Sequence, residues 1–208
     1  MKKKDKKWIG ITAGIATLTA IGFSAVIVGI DSYQYKRNKK IVATLATDAS
    51  SKTLVVFFSR SGNTELMARK IAQIKNAVVV PIQSERDKIG FFGWIQSLQD
   101  ARKTEAEITP SKIDLSSYDT IYIGSPVWLY SPAPPVFEFA KRNDFTGKKV
   151  ILFNSMNSKF EQKYIDNFKT IIEKNGGVFE KHLYIIRGRV TQQMNTDNFL
   201  KKVEEVLK

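Results

Sequence analysis

The chain is 208 residues long, carries 33 Lys/Arg against 20 Asp/Glu for a formal net charge of +13, and contains one histidine and no cysteine. That length holds one α/β domain with chain to spare. The missing cysteines exclude thiol chemistry, disulfides, iron–sulfur ligation and a lipoprotein anchor, and His182 alone builds neither a metal site nor a Ser-His-Asp relay, so demanding chemistry would have to come from a bound cofactor.

The charge is unevenly placed. Residues 1–52 hold 10 Lys/Arg and 3 Asp/Glu, whereas residues 53–208 hold 23 and 17. Basic balance raises nucleic acid as a partner, but no nucleic-acid motif or stripe of interleaved cations and aromatics is present, and none is expected to bind. An anionic membrane surface accounts for the same charge more simply.

Residues 1–7 are a basic flank. The run 8–30, from Trp8 to Ile30, has no charged side chain. As a helix it spans about 34 Å, enough to cross a hydrocarbon core of ~30 Å. A secretory signal peptide would have a shorter apolar core and a small-x-small cleavage site, which Val28-Gly29-Ile30 fits poorly. The run reads as an uncleaved transmembrane anchor, which makes a single-pass protein of the cell membrane. Lysines 2, 3, 4, 6 and 7 precede it, and Lys36, Arg37, Lys39 and Lys40 follow. This near balance gives only a slight bias toward an extracytoplasmic soluble domain. Residues 31–52 are polar and charged without a clear period and read as a linker, with the soluble domain at 53–208.

From Thr53 onward, strand and helix signals alternate, as they do in a parallel sheet covered by helices on both faces. Thr53–Phe58 is apolar enough for a central strand. Met67, Ile71 and Ile74 mark the helix after it. Residues 77–82 form a second strand, in which Pro81 demands an edge or an end. A short aromatic-rich helix runs from Phe91 to Ala101. The third strand, 120–124, enters Ser125-Pro126. A helix opened by prolines covers 136–141, and the fourth strand covers 149–153. Phe160, Tyr164, Ile165, Phe168, Ile171 and Ile172 make a helical stripe. The fifth strand is 178–186, where His182 is expected to be structural. Phe199, Leu200, Val203, Val206 and Leu207 mark the last helix. Five strands so connected fit a doubly wound α/β sheet of order 2-1-3-4-5, whose ligand sits beyond the carboxyl ends of strands one and three. The loops at 59–64, 125–132 and 154–158 should therefore converge.

The first of these loops, Ser59-Arg60-Ser61-Gly62-Asn63-Thr64, joins a strand to a helix through hydroxyls and a glycine. Its backbone amides and the helix N-terminus would suit a phosphate, with Ser59, Ser61 and Thr64 as neutral donors. The alternative is an ordinary turn in which Thr64 caps the helix. Neither GxxxxGK[ST] nor GxGxxG occurs here. The second loop, through Ser125, Pro126, Val127 and Trp128 to Tyr130 and Pro132, sets two aromatics between stiffening prolines. It would make a platform for a flat ligand, or Trp128 would simply pack against the following helix.

These two stretches resemble signatures of the flavodoxin-like family. Residues 59–64 are similar to its phosphate loop, [ST]-x-[ST]-G-x-T, and Tyr118 to Trp128 is similar to YDxIxxGSPVW. The resemblance covers residues 53 to 208 and is to short-chain members. It implies FMN, with phosphate on Ser59, Arg60, Ser61, Gly62, Asn63 and Thr64. The ring would lie against Ser125, Pro126, Val127 and Trp128, with its polar edge near Asn154 and Ser155. No catalytic side chain and no metal ligand is assigned. The chain departs from the family in Asn154-Ser155-Met156-Asn157-Ser158, where relatives carry a glycine-containing turn, and in its basic domain. The resemblance implies an FMN-binding protein of electron transfer, membrane-anchored through residues 8–30, that serves a redox partner protein. The alternatives are an FMN-dependent oxidoreductase acting on NAD(P)H or a quinone, a protoporphyrinogen oxidase of the same fold, and an FMN-free interaction module.

Overall fold

The computed structural model describes residues 22, 25, 26, 28–30, 32–45, 51–86, 90–188 and 192–208. The expected membrane span at 8–30 falls largely outside them. Among the described residues, no helix is long and apolar enough to cross a membrane.

Helix α1 (residues 32–42) precedes the alternating domain of β1 (Thr53–Phe58), α2 (Asn63–Lys75), β2 (Val78–Ile82), α3 (Phe91–Asp100), β3 (Thr120–Trp128), β4 (Ser131–Pro132), α4 (Pro134–Arg142), β5 (Lys149–Met156), α5 (Gln162–Lys174), β6 (Val178–Ile186) and α6 (Thr196–Val206). The parallel strands run in the order β2-β1-β3-β5-β6, which is the expected winding. Among the described residues the sheet nevertheless has six strands and not five, because β3 continues past Gly124 and turns back into the short antiparallel β4. β2 lies at the sheet edge, so Pro81 costs no hydrogen bond on a second side.

Period-two alternation sends successive side chains of each strand to opposite faces, and two apolar cores result. On one face, Leu54, Val56 and Phe58 of β1, with Ile121 and Ile123 of β3, pack under α4 and α5, including Phe137, Phe139 and Phe168. On the other, Val55, Phe57, Ile151 and Phe153 pack under α2 and α6, including Leu66, Met67, Ile71, Phe199 and Val203. Each fully buried aromatic or aliphatic side chain contributes about 1.5–3 kcal/mol.

The segment expected as a linker, 31–52, is different in the structure. Residues 32–42 are helical, Leu45 is buried, and Ile41 and Val42 are partly buried against the α2–α6 core. The sequence hides this contact because the residue of α1 pressed most deeply into the domain is polar: Asn38 is 1% exposed.

Candidate functional site

A cavity of about 350 Å³ opens at the carboxyl ends of β1, β3 and β5, and it brings together residues from all three expected loops. Ser59, Arg60, Ser61, Asn63 and Thr64 line one end, and Pro126, Val127 and Trp128 line the other. Ser155, from the third loop, lines it as well. Gly62, Ser125 and Asn154 are not among the residues of the cavity wall, and all three have tasks elsewhere.

Gly62 is the N-cap of α2, with φ +83°, and no side chain caps the helix. The first-turn amides of α2 are therefore left for a ligand. Thr64, read as a possible cap, lies inside the helix and shares a 2.9 Å hydrogen bond between its Oγ1 and Ser155 Oγ. Ser59 Oγ is shielded from solvent and has no hydrogen-bond partner among the described residues. An orphan hydroxyl beside an uncapped helix start fits an anion acceptor. A Cβ on Gly62 would come within 2.8 Å of Asn38 Cβ, so the loop and α1 meet where only glycine fits.

Ser125 and Asn154 were expected at the ligand, and the structure turns both side chains away from it. Because β5 runs to Met156 instead of ending at 153, Asn154 is a strand residue and alternation points it to the opposite face from Ser155. Asn154 Nδ2 donates to Ser125 O at 2.7 Å and to Ser125 Oγ at 3.1 Å. Its Oδ1 accepts from His182 Nε2 at 2.8 Å, while Ser125 Oγ accepts from Ala133 N at 3.1 Å. This buried network ties β3, β5 and β6 together behind the site. Burial lowers the His182 pKa from 6.5 to about 4, so its ring is neutral and donates.

The second loop is a tight hairpin. Trp128 pairs with Ser131, and the two turn residues, Leu129 and Tyr130, both have positive φ, 43° and 76°. Such turns normally carry Asn or Gly; here Tyr130 O is held by Glu161 N at 2.9 Å. Trp128 stands edge-on to Phe58 with ring centroids 5.5 Å apart. It therefore packs against β1, in the core cluster that also holds residues of the following helix, and still lines the cavity.

Sequence reasoning missed five wall residues: Gln34 of α1, Ser97 and Leu98 of α3, Arg187 after β6, and Gln193. Arg187 was accessible to inference, because it directly follows a strand at the sheet end where the ligand is expected. Gln34 and Leu98 carry no local signal.

The model of a family described as flavodoxin matches residues 52–201. No curated protein matches the sequence. Among solved structures, a Bacteroides uniformis chain provisionally named a flavoprotein is 22% identical, with a TM-score of 0.57 over 74% of this chain and 98% of that one. A Lactobacillus acidophilus flavoprotein in complex with FMN is 24% identical, with a TM-score of 0.51 over 65% of this chain and 93% of its own. At these identities the likeness is one of fold.

Proposed function

Because the chain belongs to the flavodoxin family, we propose that it is a membrane-anchored FMN protein of electron transfer. The observation that carries this reading is the uncapped start of α2 beside the orphan hydroxyl of Ser59, at one end of a cavity whose other end is Trp128. The amides and hydroxyls of 59–64 would hold the phosphate, and Pro126, Val127 and Trp128 would flank the ring. FMN, when bound, supplies one- and two-electron chemistry that the side chains of this protein lack. The residues themselves bind, orient and shield.

The exposed apolar side chains of Leu98 and Leu129 stand at the cavity mouth. They favour exchange of electrons across an apolar contact with a redox partner protein, or with a quinone or NAD(P)H. Residues 8–30 would tether the domain to the cell membrane, on its extracytoplasmic side, and confine that exchange to partners at the bilayer.

The test is the visible spectrum of the full chain, purified in detergent and titrated with FMN. A flavin band near ~450 nm is expected. Gly62→Val should weaken FMN binding by at least about 10-fold, since a branched side chain at positive φ costs about 1–2 kcal/mol before its clash with Asn38. A folded, colourless chain that takes up no FMN overturns the reading. Turnover of NAD(P)H with a quinone would make it an oxidoreductase in place of a carrier.

A further inference from the structure

Asn63 is the first residue of α2, and its side-chain oxygen is gripped from two directions. Asn38 Nδ2 of α1 donates to Asn63 Oδ1 at 2.8 Å, and Arg187 Nη1 donates to the same atom at 2.6 Å. Asn38 Nδ2 also donates to Ser61 O at 2.9 Å. The turn that presents its amides to the cavity is thus pinned by one residue before the domain and another more than a hundred positions after it.

Arg187 is the less ordinary of the two. It is 6% exposed, yet it lines the cavity. Its other contacts are neutral: Nη2 donates to Thr196 Oγ1 at 3.1 Å, and the guanidinium carbon lies 4.7 Å from the centre of the Phe199 ring. Among the described residues, Nε is buried with no hydrogen-bond partner and no carboxylate is ion-paired with the group. Burial and the nearby Arg37 depress its pKa to about 10, so it remains charged at neutral pH. A buried cation with no counter-ion among the described residues is costly. The place where an anion would relieve that cost is the cavity that Arg187 borders.

We propose that Arg187 supplies the counter-charge to a phosphate group in this cavity and that Asn38 holds the loop in its anion-binding form, so that α1 is part of the ligand site. This rests on the FMN reading and adds two residues to it, both outside the phosphate loop. Arg187 supplies the charge. Asn38 is a positioning residue that acts through Ser61 and Asn63, and Gly62 is what lets it approach.

The experiment compares FMN with riboflavin, which has the same ring and no phosphate, by fluorescence titration of the full chain in detergent. Wild type should bind FMN far more tightly than riboflavin. Arg187→Gln should weaken FMN by about 10- to 100-fold, the worth of a charge-assisted hydrogen bond, and leave riboflavin nearly unchanged. Arg187→Lys should restore part of the loss. Asn38→Ala, which leaves the sheet untouched, should narrow the preference by about 3- to 10-fold. Should Arg187→Gln fail to fold, Arg187→Lys and Asn38→Ala still report the preference. Equal losses for both ligands, or an unchanged preference in the folded variants, overturn the inference while leaving FMN binding intact. A wild-type chain that binds no FMN overturns both readings together.

Discussion

The two ends of the cavity are held in place by different physics. At the phosphate-loop end, side chains reach across long stretches of sequence to hydrogen-bond a short turn: Asn38 and Arg187 to Asn63, and Ser155 to Thr64. At the hairpin end, the backbone ladder of β3 with β4 and β5, together with apolar packing of Phe58, Trp128 and Phe153, fixes the shape. Polar contacts each contribute little net stability but control what charge the site accepts. Apolar contacts contribute most of the stability and are indifferent to charge. Changes at the first end should therefore be read in ligand preference, and changes at the second in folding.

The largest expected effect tests the hairpin end. Gly124 lies opposite Phe153 in the β3–β5 ladder, and a Cβ there would stand 2.0–2.4 Å from three atoms of the Phe153 ring. Phe153 is fully buried and has nowhere to go. Gly124→Ala should cost about 3 kcal/mol of stability, measured by urea unfolding, through overpacking. Its preference for FMN over riboflavin should match wild type. A variant as stable as wild type would break the contrast at its strongest point.

The next effect comes from the network behind the hairpin and appears as a pH dependence. The folded state holds His182 at a pKa of about 4, below its ordinary 6.5, because burial disfavours the charged ring. Between those values the unfolded chain binds a proton that the folded chain does not. The contribution of neutral His182 is thus complete above pH 6.5 and is lost as pH falls, by about 2 kcal/mol at pH 5. His182→Gln keeps an N–H toward Asn154 Oδ1 and does not titrate. Its stability should fall less than that of wild type between pH 7.5 and 5, by about that amount. Parallel falls in the two proteins would remove His182 from the account.

The same division explains which parts of the molecule could be read from sequence. The central strands were legible as apolar runs, because burial on both faces leaves its mark there, and their alternation with helices fitted the doubly wound order. Residues 59–64 were legible for a related reason: a turn, a glycine and hydroxyls are local chemistry. What holds that turn was not legible. Asn38 sits in a segment without periodicity, since α1 puts one polar and a few apolar side chains on the domain, and Arg187 looks like any basic residue after a strand. Asn154 misled in the opposite direction. A polar residue after an apolar run reads as the start of a loop, yet β5 continues through it to Met156, and one step of alternation separates Asn154 in the network from Ser155 at the cavity. The hairpin was missed because Leu129 and Tyr130 are not residues that normally occupy positive φ.

Trp128 offers the finest test, because it belongs to the hairpin end and still borders the cavity. Its edge-to-face contact with Phe58 should contribute about 0.5–1.5 kcal/mol beyond simple burial, so Trp128→Leu should lower stability by about 1 kcal/mol in urea unfolding. It should also weaken ring binding. Because an indole carries no charge, that loss has to fall equally on FMN and riboflavin, and the ratio of the two affinities should stay at its wild-type value. Arg187→Gln should do the reverse, moving the ratio while leaving riboflavin nearly untouched. If Trp128→Leu instead selectively weakens FMN, the hairpin is helping to place the phosphate, and the two ends of the site act as one unit.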